Sequence, residues 1–136
     1  MPHLQHWQHA LKEHWGIDAN LSRLDGEYDL NFLAQGRDGD GYVMKVMRVG
    51  CEDWLVDMQV KAFEHIAAKA PTIPCPKVVR SKTDTPLLTV KDEDGQDRIV
   101  WVLSQLPGRC YAQAHPKSDA LIHEVGQVLG STSLAL

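Results

Sequence analysis

The stretch GYVMKVMRVG, residues 41–50, has the apolar character of a buried β-strand but carries a lysine at its centre. Side chains alternate between the two faces of a strand, so Lys45 shares a face with Val43, Met47 and Val49. An ammonium group is costly to bury without a partner. Either the apolar stem of Lys45 covers the sheet while its charged end reaches water, or a polar or anionic group meets it.

The segments around this strand carry the patterns of helices and of further strands. Apolar residues recur at helical spacing through residues 3–15, 52–69 and 121–136. Segments rich in glycine, proline and aspartate separate extended runs, which are typical of strands connected by turns. The extended runs are ANLSRL (19–24), LNFLAQ (30–35), KVVRS (77–81), PLLTVKD (86–92) and DRIVWVLSQLPG (97–108).

These patterns predict an α+β fold: an antiparallel five-stranded sheet with the 52–69 helix packed on it, an N-terminal helix and a C-terminal helix. The division expected is a helical segment at 1–19, a lobe at 20–108 and a connection with one helix at 109–136. Because the helical spacing at Leu121, Val125 and Val128 runs on to the last residue, we expect that the polypeptide continues beyond it.

Composition excludes several functions. The net charge of −4 provides no basic surface for a nucleic acid, and no apolar run approaches the roughly 20 residues of a membrane-spanning helix. The cysteines Cys51, Cys75 and Cys110 are odd in number and far apart, which favours free thiols and a cytoplasmic protein. His3, His6 and His9 share a helical face, but no cysteine or carboxylate completes a metal site there, so no metal site is predicted.

Two further features bear on Lys45. The inner stripe predicted for the 52–69 helix consists of Leu55, Met58, Ala62, Phe63 and Ile66. Gln59 is the polar residue within it, and its amide could meet Lys45 if that helix packs on the lysine face. Alternatively, Gln59 lies at the edge of the stripe, half in water. The loop DGEYDLN (25–31) joins two strands and could cover phosphates with backbone N–H groups, or it could be an ordinary hairpin turn.

These features together resemble the N-terminal lobe of the aminoglycoside phosphotransferase and hydroxylysine kinase family, which are protein-kinase-like small-molecule kinases. They also resemble the phosphotransferase-like domains fused to class III aminotransferases. The resemblance covers roughly residues 20–130 and rests on five ordered motifs: LDGEYDLNFLA (24–34), GYVMKV (41–46), DMQVKAFEHIA (57–67), IPCPKVVRS (73–81) and RIVWVLSQLPG (98–108).

The resemblance implies an ATP-binding lobe and a role for each matching residue. Lys45 would contact the nucleotide phosphates, and Gly26, Asp29 and Asn31 would belong to the loop above them. Gln59 stands where many relatives carry a glutamate that pairs with the lysine. The hinge that hydrogen-bonds the adenine would be formed by Ser104, Gln105 and Leu106.

The implied function is ATP binding within a phosphotransferase that acts on a small-molecule hydroxyl or amino-alcohol. None of the seven histidines is followed two residues later by aspartate, so this chain lacks the His-x-Asp loop that the family uses for catalysis. The catalytic lobe, Mg²⁺ and the acceptor site would therefore lie elsewhere in the protein. Two alternatives stay open: a non-catalytic kinase-like domain of a larger enzyme such as an aminotransferase fusion, and an unrelated α+β interaction domain in which Lys45 reaches water.

Overall fold

The computed structural model describes residues 2–136. The three predicted helices are present, as α1 (Pro2–Trp15), α2 (Asp53–Lys69) and α3 (Asp119–Ala135). The strands are β1 (Ala19–Leu24), β2 (Leu30–Gly36), β3 (Gly41–Val46), β4 (Val78–Val79), β5 (Leu87–Lys91) and β6 (Asp97–Ser104).

All strands belong to one antiparallel sheet in the order β1-β2-β3-β6-β4, with β5 also paired to β6. The predicted α+β class and antiparallel sheet are confirmed. The sheet has six strands rather than five because the extended run KVVRS joins it as β4: Val78 and Val79 pair with Leu103 and Val102 of β6.

The sheet is covered by a helix on each face. On one face, Trp7 and Leu11 of α1 pack with Phe32, Met44 and other buried residues of the central strands. On the other face, Val56 and Val60 of α2 pack with a group of sheet residues, namely Met47, Ile99, Trp101 and Leu103. Lys45 alternates with Met44 and Val46, so it lies on the α2 face.

The strand that contains Lys45 is shorter than the sequence predicts. It ends at Val46, although the backbone N–H of Met47 still donates to the carbonyl of Ile99 at 2.9 Å. The next N–H, that of Arg48, donates instead to Asp29 Oδ1 at 2.8 Å. A side-chain acceptor thus replaces the next strand partner, and the chain turns away from the sheet before α2.

The buried face of α2 also differs from the predicted stripe. Val56, Val60 and Ile66 are buried, whereas Met58, which was predicted to face inward, is 54% exposed. Val56 and Val60 lie one helical turn apart and pack against the sheet. Gln59 of the same helix is half-buried.

The third helix begins at Asp119, where Ser118 caps it by accepting the N–H of Leu121 at 3.2 Å. His65 of α2 hydrogen-bonds the carbonyl of Ala135 at 2.8 Å and so links the two helices. Much of the apolar stripe predicted for α3 is exposed, including Val125, Val128 and Leu129, and so is Ile122. None of the helices in residues 2–136 has the length and apolar character needed to cross a membrane.

Candidate functional site

Lys45 lies in the middle of the sheet, between two residues that face it directly. Antiparallel pairing places Asn31 of β2 opposite Lys45 on one side and Trp101 of β6 opposite it on the other. Directly opposed residues point to the same face, so all three side chains lie on the side that α2 covers. Lys45 and Asn31 are half-buried and Trp101 is fully buried.

The ammonium of Lys45 has a neutral partner. Lys45 Nζ donates to Asn31 Oδ1 at 3.2 Å and lies 6.0 Å from the centre of the Trp101 ring. A distance of about 6 Å is the outer limit for attraction between a cation and an aromatic ring. Among the described residues no carboxylate forms a salt bridge with Lys45. The ammonium is therefore oriented without being neutralised.

Of the two alternatives left open for Gln59, the described residues show no hydrogen bond between Gln59 and Lys45; Lys45 donates to Asn31 instead. Gln59 donates its amide N–H to the carbonyl of Leu55, one turn earlier in α2, over 3.4 Å. The structure thus brings Lys45 and Asn31 together, whereas Gln59 is held by its own helix.

The loop between β1 and β2 folds back over Asn31. Asp29 anchors its end by accepting the Arg48 N–H, which ties the loop to the segment that follows Lys45. Gly26 comes so close that a Cβ atom there would lie 2.6 Å from Asn31 Nδ2 and 2.7 Å from the Asp29 carbonyl oxygen. Only glycine fits without displacing these atoms. The predicted loop residues Gly26, Asp29 and Asn31 therefore form one packed unit beside Lys45.

The predicted hinge residues follow directly from the end of β6. The N–H groups of Ser104 and Gln105 donate to the carbonyls of Lys77 and Gly41 at 2.8 and 3.0 Å. Gln105 Oε1 also accepts Gln35 Nε2 at 3.2 Å. Leu106, the third predicted hinge residue, is 41% exposed. Two of these three N–H groups are thus committed to the fold, whereas the Leu106 N–H has no hydrogen-bond partner among residues 2–136.

One thiol lies near the loop. Burial raises the pKa of Cys51, the Arg48 guanidinium opposes this rise, and the Asp29 carboxylate adds to it. A thiol with a raised pKa forms little thiolate at neutral pH and is a poor nucleophile. Cys51 therefore has no part in the chemistry considered for this site. Within residues 2–136, no three His, Cys, Asp or Glu side chains converge as metal ligands.

A cavity of about 420 Å³ lies on the opposite face of the sheet, beside α1. Its walls include Trp7, Leu30 and Phe32 and the turn at Asp92–Asp94. None of the predicted site residues lines it. Lys45 and its partners instead lie on the α2 face.

Two solved structures of small-molecule kinases resemble this chain. A microcompartment-associated aminopropanol kinase matches 79% of the chain with a TM-score of 0.64 and 17% identity, over 33% of its own length. The amicoumacin kinase hAmiN, solved with AMP-PNP, Ca²⁺ and Ami, matches 75% of the chain with a TM-score of 0.58 and 17% identity, over 31% of its own length.

No family model and no curated protein sequence matches the chain. At 17% identity the two kinases establish the fold and not the activity. The chain spans about a third of the length of each kinase. The predicted resemblance to protein-kinase-like small-molecule kinases is confirmed at the level of the fold: the antiparallel sheet and its helices are those of a kinase-like N-terminal lobe.

Proposed function

We propose that residues 20–108 are the ATP-binding lobe of a phosphotransferase that acts on a small-molecule hydroxyl or amino-alcohol. The observation that carries this proposal is the Lys45 ammonium, which is half-buried, oriented by Asn31 and not neutralised by a carboxylate among the described residues. Phosphoryl transfer depends mainly on positioning and on neutralising phosphate charge. A cation on a rigid central strand supplies both at the α- and β-phosphates.

The proposal also assigns a contact with the nucleotide to the loop at residues 25–31 and to the predicted hinge at residues 104–106. The loop held by Gly26 and Asp29 lies next to Lys45 and would cover the phosphates with its backbone N–H groups. At the other end of β3, the Leu106 N–H would donate to the adenine edge, since Ser104 and Gln105 already donate within the fold. Gln59 of α2 would line the space between the loop and the predicted hinge.

Residues 109–136 would connect this lobe to a second, larger lobe that binds Mg²⁺ and the acceptor. The exposed apolar side chains of α3 support this part of the proposal. Ile122 is 52% exposed and Leu129 is 64% exposed, and a contiguous apolar helix face is normally covered by a neighbouring domain. The free thiols of Cys51, Cys75 and Cys110 are consistent with a cytoplasmic location for the protein.

A titration with nucleotide tests the proposal directly. The chain, labelled with ¹⁵N, is titrated with MgATP while the amide signals of residues 25–31 and 104–106 are followed. We expect shifts in both segments for the wild type and a loss of at least about tenfold in affinity for Lys45→Met, because the substitution removes the charge at the phosphates. Lys12→Met is the matched control, since Lys12 lies on α1 at the opposite face.

Unchanged signals at saturating MgATP would refute the proposal. Equal affinity of the Lys45→Met and Lys12→Met variants would refute the role of Lys45.

A second candidate is a kinase-like domain that binds without transferring phosphate inside a larger enzyme, such as a class III aminotransferase fusion. It is favoured by the neutral side chain at Gln59, which cannot form the ion pair that a glutamate would form there. Measurement of ADP release by the intact protein separates the two candidates. Turnover that is abolished by Lys45→Met supports the phosphotransferase, and nucleotide binding without turnover supports the binding domain.

A further inference from the structure

We propose that Asn31 is the positioning residue of this site. It orients the Lys45 ammonium toward a polyphosphate and, because Asn31 is neutral, the full positive charge of Lys45 stays available to the ligand. This inference rests on the proposed nucleotide function and deepens it, because it assigns to a strand residue the role expected of Gln59. It also names the property of the ligand that the site would select, which is the number of its negative charges.

The first argument is the geometry of the pair. Asn31 and Lys45 are direct partners in the β2–β3 ladder, and Asn31 Oδ1 accepts the ammonium proton at 3.2 Å. Backbone hydrogen bonds on both sides of β3 fix this juxtaposition. A partner on a helix, in contrast, would move with the helix. The position of Asn31 is therefore set by the same ladder that sets Lys45.

The second argument is the orientation of the Asn31 amide. An ammonium group can only donate, so the amide must present its oxygen to Lys45 and its NH₂ group to the other side. On that other side is Gly26, placed so closely that a Cβ atom would lie 2.6 Å from Asn31 Nδ2. One amide group thus contacts both the lysine and the loop. A shift of the loop would be transmitted to the ammonium through Asn31.

The third argument concerns charge. The ammonium has three donors, and among the described residues one of them is used by a protein partner, Asn31. A carboxylate in the place of Asn31 would cancel most of the lysine charge, whereas an amide orients it without cancelling it. The remaining donors and the whole positive charge stay available. Affinity should therefore rise steeply from AMP to ADP to ATP.

The experiment compares four substitutions by calorimetric titration of the chain with AMP, ADP and ATP. Gln59→Ala tests the alternative partner on α2. Asn31→Ala removes the acceptor, and Asn31→Asp keeps the shape of the side chain but adds a negative charge. Asn20→Ala is the matched control, since Asn20 is exposed on β1 and pairs with Gln35, away from Lys45. We expect Asn31→Ala to weaken ATP binding about three- to tenfold relative to Asn20→Ala, as the loss of one hydrogen bond to a charged group predicts.

We expect Asn31→Asp to weaken ATP binding more than Asn31→Ala and to reduce the preference for ATP over AMP. In the absence of nucleotide, both substitutions should shift the ¹⁵N signals of Gly26 and Lys45, which the control should leave in place. Because aspartate and asparagine have nearly the same shape, Asn31→Asp gives a result even if Asn31→Ala fails to fold.

Wild-type binding together with equal ATP affinities of the Asn31 variants and the control would overturn this inference and leave the proposed function standing. A larger loss for Gln59→Ala than for Asn31→Ala would also overturn it, by assigning the role to the helix. Failure of the wild type to bind any of the three nucleotides would overturn the proposed function and this inference together.

Discussion

Trp101 and Lys45 face each other directly across β6 and β3, and the indole centre lies 6.0 Å from the lysine Nζ. Trp101 is fully buried, donates its indole N–H to Met47 Sδ at 3.3 Å and packs against Phe63 of α2. The same side chain therefore joins α2 to the sheet and supports the stem of Lys45. Trp101 thus contributes both to the packing of α2 and to the surroundings of Lys45.

Replacement of this indole should cost stability. We expect Trp101→Leu to lower the free energy of unfolding by about 2–4 kcal/mol, because it leaves a cavity between α2 and the sheet. Urea unfolding followed by circular dichroism measures the change. Trp54→Leu is the control: Trp54 is 62% exposed, so a loss within about 0.5 kcal/mol is expected. Equal losses for the two variants would show that Trp101 does not join α2 to the sheet.

Gly26→Ala should displace the loop between β1 and β2. The added methyl group would lie 2.6 Å from Asn31 Nδ2 and 2.7 Å from the Asp29 carbonyl oxygen, so one of these groups has to move. We expect a loss of about 1 kcal/mol and shifted amide signals at Asp29 and Arg48, whose side chain and N–H are bonded to each other.

The control for this substitution is Gly126→Ala, in α3. A Cβ atom at Gly126 has open space around it, so alanine should stabilise the helix by about 0.5–1 kcal/mol. If Gly26→Ala left the Asp29 and Arg48 signals unmoved, the packing of the loop over Asn31 would be contradicted.

The turn between β5 and β6 should show a pH-dependent contribution to stability. The Gln96 N–H, then the Arg98 guanidinium and the Asp94 N–H, bond the Asp92 carboxylate and lower its pKa below the usual 3.8. A carboxyl group whose pKa is lowered on folding stabilises the fold above its unfolded pKa, and this contribution is lost as the pH falls through the folded value.

We therefore expect Asp92→Asn to be less stable than the wild type at pH 7, with the difference shrinking as the pH falls below about 3.8. Urea midpoints at a series of pH values measure this. Asp94→Asn lies in the same turn and is exposed, so it controls for a general effect of charge. A constant difference at all pH values would contradict the role of the ionised Asp92.

The three thiols should react at different rates. Burial raises the pKa of Cys51 and of Cys75, and both are half-buried, whereas Cys110 is exposed. Since the thiolate is the reactive form, iodoacetamide at pH 7.5 should modify Cys110 first. Peptide mass spectrometry at increasing times gives the order. Faster modification of Cys51 would indicate that its surroundings in solution are more open than in this structure.

Much of the fold could be predicted from sequence because its elements have strong periodic patterns. The turn RDGDG (37–41) joins β2 to β3 and determines the partner of Lys45, because pairing Gln35 with Gly41 across it places Asn31 opposite Lys45. The predicted loop includes Asn31, so the pairing of Asn31 with Lys45 is not among the predictions from the sequence. The register follows from turn length, which the sequence does show.

Other features could not be derived in this way. Helix α2 has apolar residues on two adjacent stripes, so the sequence alone could not decide whether Val56 or Met58 faces the sheet, or whether Gln59 reaches Lys45. The run IVWVL in β6 is apolar at every position, so alternation could not show that Trp101 lies on the lysine face. Both choices depend on how the helix and sheet pack, which is a tertiary property.

Strand β6 sets the distance between Lys45 and the predicted hinge. Trp101, opposite Lys45, and Ser104, where the predicted hinge begins, are three residues apart on this strand, a separation of roughly 10 Å at about 3.3 Å per residue. One inserted or deleted residue between them would change this length by a third and turn one of the two positions to the opposite face. The distance between Lys45 and the predicted hinge is thus set by four consecutive residues, WVLS (101–104), and does not depend on the length of any loop.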